Sequence, residues 1–145
     1  MCIRDRIRGE WSEDWRGWWG DEPPYHAPVF VLTHHAREPV EMAGGTTFHF
    51  VTEGFDRAYE LAREAAGDQE VTIAGGASTV RQAIAAGALD QLTLDVAPVI
   101  LGRGERLFHD VSDPGITLVD VIASPFATHI TYRLGSAADA SAERH

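Results

Sequence analysis

The segment Val71-Thr72-Ile73-Ala74-Gly75-Gly76-Ala77-Ser78-Thr79-Val80 has the residue types of an anion cradle. A short apolar strand would turn through two glycines into the start of a helix. Glycine lets the backbone approach a ligand closely, and the first amides of a helix have no partner within it. The helix dipole adds about half a positive charge at that end. Ser78 and Thr79 contribute hydroxyl donors. The segment is neither a Walker loop nor G-x-G-x-x-G, and a Gly-Gly turn can equally serve tight packing, so both readings stand on composition alone.

A second candidate is Leu32-Thr33-His34-His35, at the end of an apolar run where open α/β sheets place ligand contacts. Thr33 and His34 have the donors to hold a phosphate oxygen. Neighbouring strand residues point to opposite faces, so His34 and His35 cannot chelate one metal together, and no H-E-x-x-H or cysteine cluster offers further ligands. No metal site is expected, and His35 meeting only solvent is an equally good reading of that residue. A third candidate is Asp95, ahead of the glycine-rich stretch Gly102-Arg103-Gly104. It would be an acid or base if it faced a pocket, but a solvated or hydrogen-bonded carboxylate is the plainer expectation. The chain has no G-x-S-x-G elbow, and its single cysteine, Cys2, lies in the first residues, so no nucleophile and no catalytic acid can be nominated.

These residues need elements to hold them. Pro28–Thr33 reads as a strand buried on both faces and Thr46–Val51 as another. Thr52–Ala66 reads as a helix with Phe55, Ala58, Tyr59, Ala62 and Ala65 on one face and Gly67 as its stop. Val71–Ala74 is a short buried strand, and Ser78–Ala86 a helix ended by Gly87. Leu89–Leu101 gives a longer strand, and Ile116–Ser124 with Ala127–Leu134 an antiparallel pair. Upstream, Trp11, Trp15, Trp18 and Trp19 fall at helical spacing, with Ser12 as cap and Gly20 as end. Core or groove lining is the first reading of these rings. Residues 1–10 read as a ragged, non-native lead, 11–134 as one domain, and 135–145 as a flexible tail.

The balance of charge excludes several functions. With 12 Lys+Arg against 22 Asp+Glu the net charge is -10. That opposes the counterion release that drives nucleic-acid binding. No apolar run approaches the ~20 residues of a membrane span, and no signal-peptide core follows the start. A single cysteine rules out an internal disulfide and fits a reducing, cytoplasmic setting.

Taken together, I-A-G-G-A-S-T-V-R-Q, L-D-Q-L-T-L-D-V-A-P-V-I-L-G-R-G-E-R-L-F and P-V-F-V-L-T resemble the bacterial dihydrofolate-reductase-like family, which includes the reductase domain of riboflavin biosynthesis. The likeness runs from about Trp11 to Leu134. It implies a three-layer α/β fold whose mixed, mostly parallel sheet is finished by a C-terminal antiparallel hairpin. It also implies an NADPH-dependent reductase that transfers hydride to a pterin-, pyrimidine- or ribosylaminopyrimidine-type substrate, with a homodimer as the form in solution. Under it, Gly75, Gly76, Ala77, Ser78, Thr79 and Val80 would hold the pyrophosphate and nicotinamide side of NADPH. Thr33 and His34 would meet the adenosine ribose and its 2'-phosphate, and Trp15, Trp18 and Trp19 would line the substrate side. The family's opening strand, helix and strand with a G-R-x-T-like turn have no counterpart here, and Ala74 stands where the riboflavin reductases resemble one another in an acidic residue. A non-catalytic nucleotide-binding or assembly module that keeps this fold is the alternative.

Overall fold

The computed structural model describes residues 2–4, by their backbone, and 11–135. The chain divides into two compact units, Met1–Val80 and Arg81–His145.

The first unit is built on a five-stranded sheet with the order β3-β4-β2-β1-β5. Its strands are β1 (Cys2–Arg4), β2 (Pro28–Leu32), β3 (Val40–Glu41), β4 (Thr47–Val51) and β5 (Ile73–Gly75). β4, β2, β1 and β5 run parallel, and the two-residue β3 closes the edge antiparallel to β4. This is the mixed, mostly parallel sheet that the sequence implies. One of its inner strands comes from an unexpected place. β1 lies within the residues read as a lead outside the fold, yet it pairs with β2 on one side and β5 on the other. Three residues, Cys2-Ile3-Arg4, are too short to carry a strand period, so only pairing reveals them. β3 is equally short and was not anticipated.

Side-chain alternation divides this sheet into two faces. Val29 and Val31 of β2 join Phe48 of β4, Val40 and Met42 in one buried cluster, with Trp11, Trp15, Trp18, Tyr25 and Phe50 packed against it. Phe30, Leu32 and Val51 are buried on the other parity, where α1 (Phe55–Ala66) packs on β2 and buries Phe55, Ala58 and Ala62. α1 begins at Phe55 rather than Thr52 because Gly54 stands ahead of it at φ 96°. It ends as expected at Gly67, whose φ of 59° suits glycine and whose amide donates to the Arg63 carbonyl at 3.1 Å.

The layer opposite α1 is not a helix. Residues 11–20 contain only turns and bends. Gly17, Trp19 and Gly20 have φ of 88°, 86° and 73°, which no right-handed helix tolerates. The tryptophan spacing has a different cause. Trp11 meets Phe50 at 4.8 Å between ring centroids, Trp15 meets both Phe48 and Phe50, and Trp18 meets Phe48, all near edge-to-face. The rings are spaced to cover β4, and edge-to-face pairs add about 0.5–1.5 kcal/mol each beyond burial.

α2 (Ala77–Ala85) follows β5. The second unit carries a separate antiparallel sheet of β6 (Gln91–Val96), β8 (Thr128–Leu134) and β7 (Ile116–Ala123), in the order β6-β8-β7. The C-terminal hairpin is therefore present, but it pairs with β6 in a sheet of its own rather than finishing the parallel one. β6 is half the expected length: it stops before Pro98, which cannot donate to a ladder, and Val99, Ile100 and Leu101 stand exposed in the loop beyond. Of the C-terminal tail, Gly135 donates to the Gly115 carbonyl at 2.8 Å, and residues 136–145 lie outside the described residues.

Candidate functional site: the strand-end crevice of the first unit

Strand order in the first unit defines where a ligand fits. From β1 the chain moves outward through β2 and β4, then returns to the opposite side of β1 as β5. β1 is thus the point at which the sheet's winding reverses. In open α/β sheets such a point leaves a crevice beyond the carboxyl ends of the strands, because the flanking connections depart to opposite faces. The register puts both sequence candidates there. Gly75 lies beside Ile3 and Leu32 beside Arg4, so the Gly75-Gly76 turn and the Thr33-His34 turn leave the same end of the sheet. They are two strand spacings apart, or about 10 Å. That span suits a ligand carrying charge at two places.

At the β5 end, Gly75 has a φ of 114°, a conformation that side chains rarely adopt. The Gly75–Gly76 peptide bond is cis. A Cβ built on Gly75 would meet nothing within 4 Å, so the turn is open on that side. The amides of Thr79 and Val80 close back on the Gly76 carbonyl at 3.0 and 3.1 Å, leaving Gly76 and Ala77 ahead of the first helical hydrogen bond. Thr79 is fully buried, and its hydroxyl has no hydrogen-bond partner among the described residues. An orphaned buried hydroxyl costs roughly 1–3 kcal/mol, which an oxygen-rich ligand at the helix start would offset. A phosphate therefore suits the residues at this turn.

At the β2 end, Thr33 and His34 take different roles. Thr33 is buried, and its Oγ1 accepts the His35 amide at 3.0 Å, so the hydroxyl serves the turn itself. His34 is exposed and lines a cleft with Trp11, Glu13, His35, Ala36 and Arg37, about 640 Å³ in volume. The indole Nε1 of Trp11 donates to the His35 carbonyl at 2.9 Å and fixes one wall. His35 thus lines the cleft rather than only meeting solvent. Arg37 and Glu13 were missed in the sequence as site residues, whereas the core-or-groove reading of the tryptophans covers Trp11. Arg37 is the one arginine within a few residues of that strand end, which was the available signal.

Of the rings proposed for the substrate side, Trp15 and Trp18 are partly buried in the layer over β4, and Trp19 is 71% exposed. None of the three lines the described cleft. In the second unit, Asp95 and His129 face each other across β6 and β8 with Oδ1 and Nδ1 2.6 Å apart. Asp95 is a hydrogen-bonded, exposed carboxylate. No group of three or more metal-binding side chains and no helix long and apolar enough to cross a membrane occurs among the described residues.

A parallel sheet reversing at β1, an open Gly-Gly turn into α2 and an antiparallel C-terminal sheet define the α/β, dihydrofolate-reductase-like fold. Among solved structures the chain is similar to a pyrimidine reductase-like protein from Corynebacterium diphtheriae, at 21% identity and a TM-score of 0.50. The match covers 74% of this chain and 49% of that one, so the chain spans about half the length of that protein. Residues 1–130 match the RibD C-terminal domain, and the chain belongs to that family. No curated protein matches it.

Proposed function

We propose that the chain is a nicotinamide-dependent reductase domain with a role of the riboflavin-biosynthesis type. The cofactor is NADPH, and the hydride goes to a pterin, pyrimidine or ribosylaminopyrimidine. The observation that carries this reading is the open Gly75-Gly76 turn into α2, with the unpartnered Thr79 hydroxyl behind it. Gly75, Gly76, Ala77, Ser78, Thr79 and Val80 would hold the pyrophosphate through backbone amides and hydroxyls, with the helix dipole favouring its charge. His34 would face the adenosine end across the crevice. When bound, the nicotinamide supplies the hydride, and the protein's part is to orient donor and acceptor and exclude water. Membership of the family and the likeness to a pyrimidine reductase-like protein support the reductase class. Trp15, Trp18 and Trp19 are retained as substrate-side residues only if substrate displaces part of the aromatic layer. The setting is the cytoplasm and the partner in solution a second copy of the chain.

Titration of the protein with NADPH, followed by quenching of its tryptophan fluorescence, tests the reading. Saturable binding that Gly76→Asp abolishes is expected, because a carboxylate would take the phosphate's place. Absence of binding by the unaltered protein refutes it. Binding without NADPH oxidation across a panel of pterins and pyrimidines would instead assign the chain to the non-catalytic, nucleotide-binding class.

A further inference from the structure

The cleft at the end of β2 is not carved into the sheet. One wall is the turn of residues 34–37, and the other is a strap, residues 11–16, which contributes Trp11 and Glu13. The strap contains no helix or strand, and among the described residues two hydrogen bonds join it to the rest of the chain. The Trp11 indole Nε1 donates to the His35 carbonyl at 2.9 Å, and Arg37 Nη2 donates to the Glu13 carbonyl at 3.2 Å. Both bonds cross from one wall to the other. Rings supply the remaining attachment: Trp11 lies against Phe50 and Trp15 against Phe48 and Phe50, with the Arg37 guanidinium carbon 5.6 Å from the Trp15 centroid. Beyond Gly17 the hold is firmer. Ala43 donates its amide to the Asp21 carbonyl at 3.1 Å, the His26 amide donates to Thr46 Oγ1 at 3.1 Å, and Thr46 Oγ1 donates to the Pro23 carbonyl at 3.4 Å. Trp18 and Tyr25 keep Phe48 covered from this side. Gly17, at φ 88°, stands where the loosely held stretch meets the firmly held one. The closed position also has a standing cost. Arg37 Nη1 is buried without a hydrogen-bond acceptor among the described residues, and lifting the strap returns it to water.

We propose that residues 11–16 open as a unit about Gly17 while the sheet stays folded, with Trp11 and Arg37 as the two clasps. A segment held by few hydrogen bonds opens at a lower free energy than the whole domain unfolds. Opening removes the wall made by Trp11 and Glu13, so the cleft exists only while the strap is clasped. Any ligand of the cleft then binds the clasped fraction alone. The device is independent of which ligand the cleft takes.

Arg16 is exposed within the strap and gives trypsin a site there, one that needs an opened chain for cleavage. The test is limited trypsin digestion of the full chain, with the cut after Arg16 followed by mass spectrometry. The cut after Arg57, inside α1, is the control for global unfolding. In the unaltered protein the cut after Arg16 should come first, and its rate should depend on urea more weakly than the global transition seen by tryptophan fluorescence. Trp11→Phe removes the Nε1 donor and keeps a ring over Phe50. It should speed the cut after Arg16 about fivefold and leave the cut after Arg57 unchanged, since one hydrogen bond is lost from the clasp alone. Arg37→Ala removes the other bond and the cation over Trp15, and should act in the same direction. If one variant fails to fold, the other carries the test. Cuts after Arg16 and Arg57 that share one urea dependence, or a cut after Arg16 that neither variant accelerates, overturn the proposal.

Discussion

Replacing Gly17 by alanine tests how the tryptophan layer is held. Gly17 has φ 88°, a region in which an alanine costs roughly 1 kcal/mol relative to glycine. Its new Cβ would also run into the edge of the Phe48 ring, overlapping Cε2 and lying 2.8 Å from Cζ. Phe48 cannot swing aside. It is fully buried, and its ring is held by Trp15 at 5.5 Å, Trp18 at 5.8 Å and Tyr25 at 6.4 Å. Overpacking of this kind costs about 1–3 kcal/mol, so the total loss should be about 2–4 kcal/mol. Gly20→Ala is the internal control. Gly20 has φ 73° but open space around its Cβ, so it carries the backbone strain alone, about 1 kcal/mol. Urea unfolding followed by tryptophan fluorescence measures both, and the difference between the variants isolates the ring overlap. Equal losses in the two would show that the chain at Gly17 is not pressed onto Phe48, and the account of this layer would fail.

Two further outcomes follow from individual groups. Thr79→Val removes a buried hydroxyl that has no partner, so thermal stability should hold or rise slightly while NADPH affinity falls about three- to tenfold; a clear loss of stability would mean that the hydroxyl is satisfied within the protein. Glu53 accepts the Thr52 amide at 2.9 Å, and this bond, first among the causes, holds its carboxyl below the usual carboxylate value. A depressed folded-state pKa contributes stability above the unfolded value, near 4.3, that is lost as pH falls through the folded one. Glu53→Gln should therefore flatten the acid limb of the stability profile below about pH 4 and leave its shape above pH 6 unchanged; an unchanged acid limb would contradict the assignment.

How much of this could be read in advance depended on the length of the signal. β2 shows itself as Pro-Val-Phe-Val-Leu because a strand covered on both faces has no polar alternate. α1 shows itself because twelve residues contain enough turns for a 3.6-residue period to register. The Gly75-Gly76 turn was legible because glycines between a strand and a helix carry a backbone meaning that no side chain obscures. The tryptophans were misread for a definite reason. Spacings of four and three residues suit a helix, but they equally suit an irregular strap whose rings must reach Phe48 and Phe50, and Gly17 and Gly20 at positive φ choose the strap.

Short-range order and chemical type were thus written along the chain: the buried strand, the long helix, the glycine turn and the acidic balance. Pairing between distant residues was not. That Cys2–Arg4 sits between β2 and β5, that the two candidate turns share one end of the sheet, and that Arg37 lies over Trp15 and Phe50 all depend on contacts between residues well separated along the chain. A three-residue strand has no period to display, and the cation's setting exists only once two rings from different segments have packed around it.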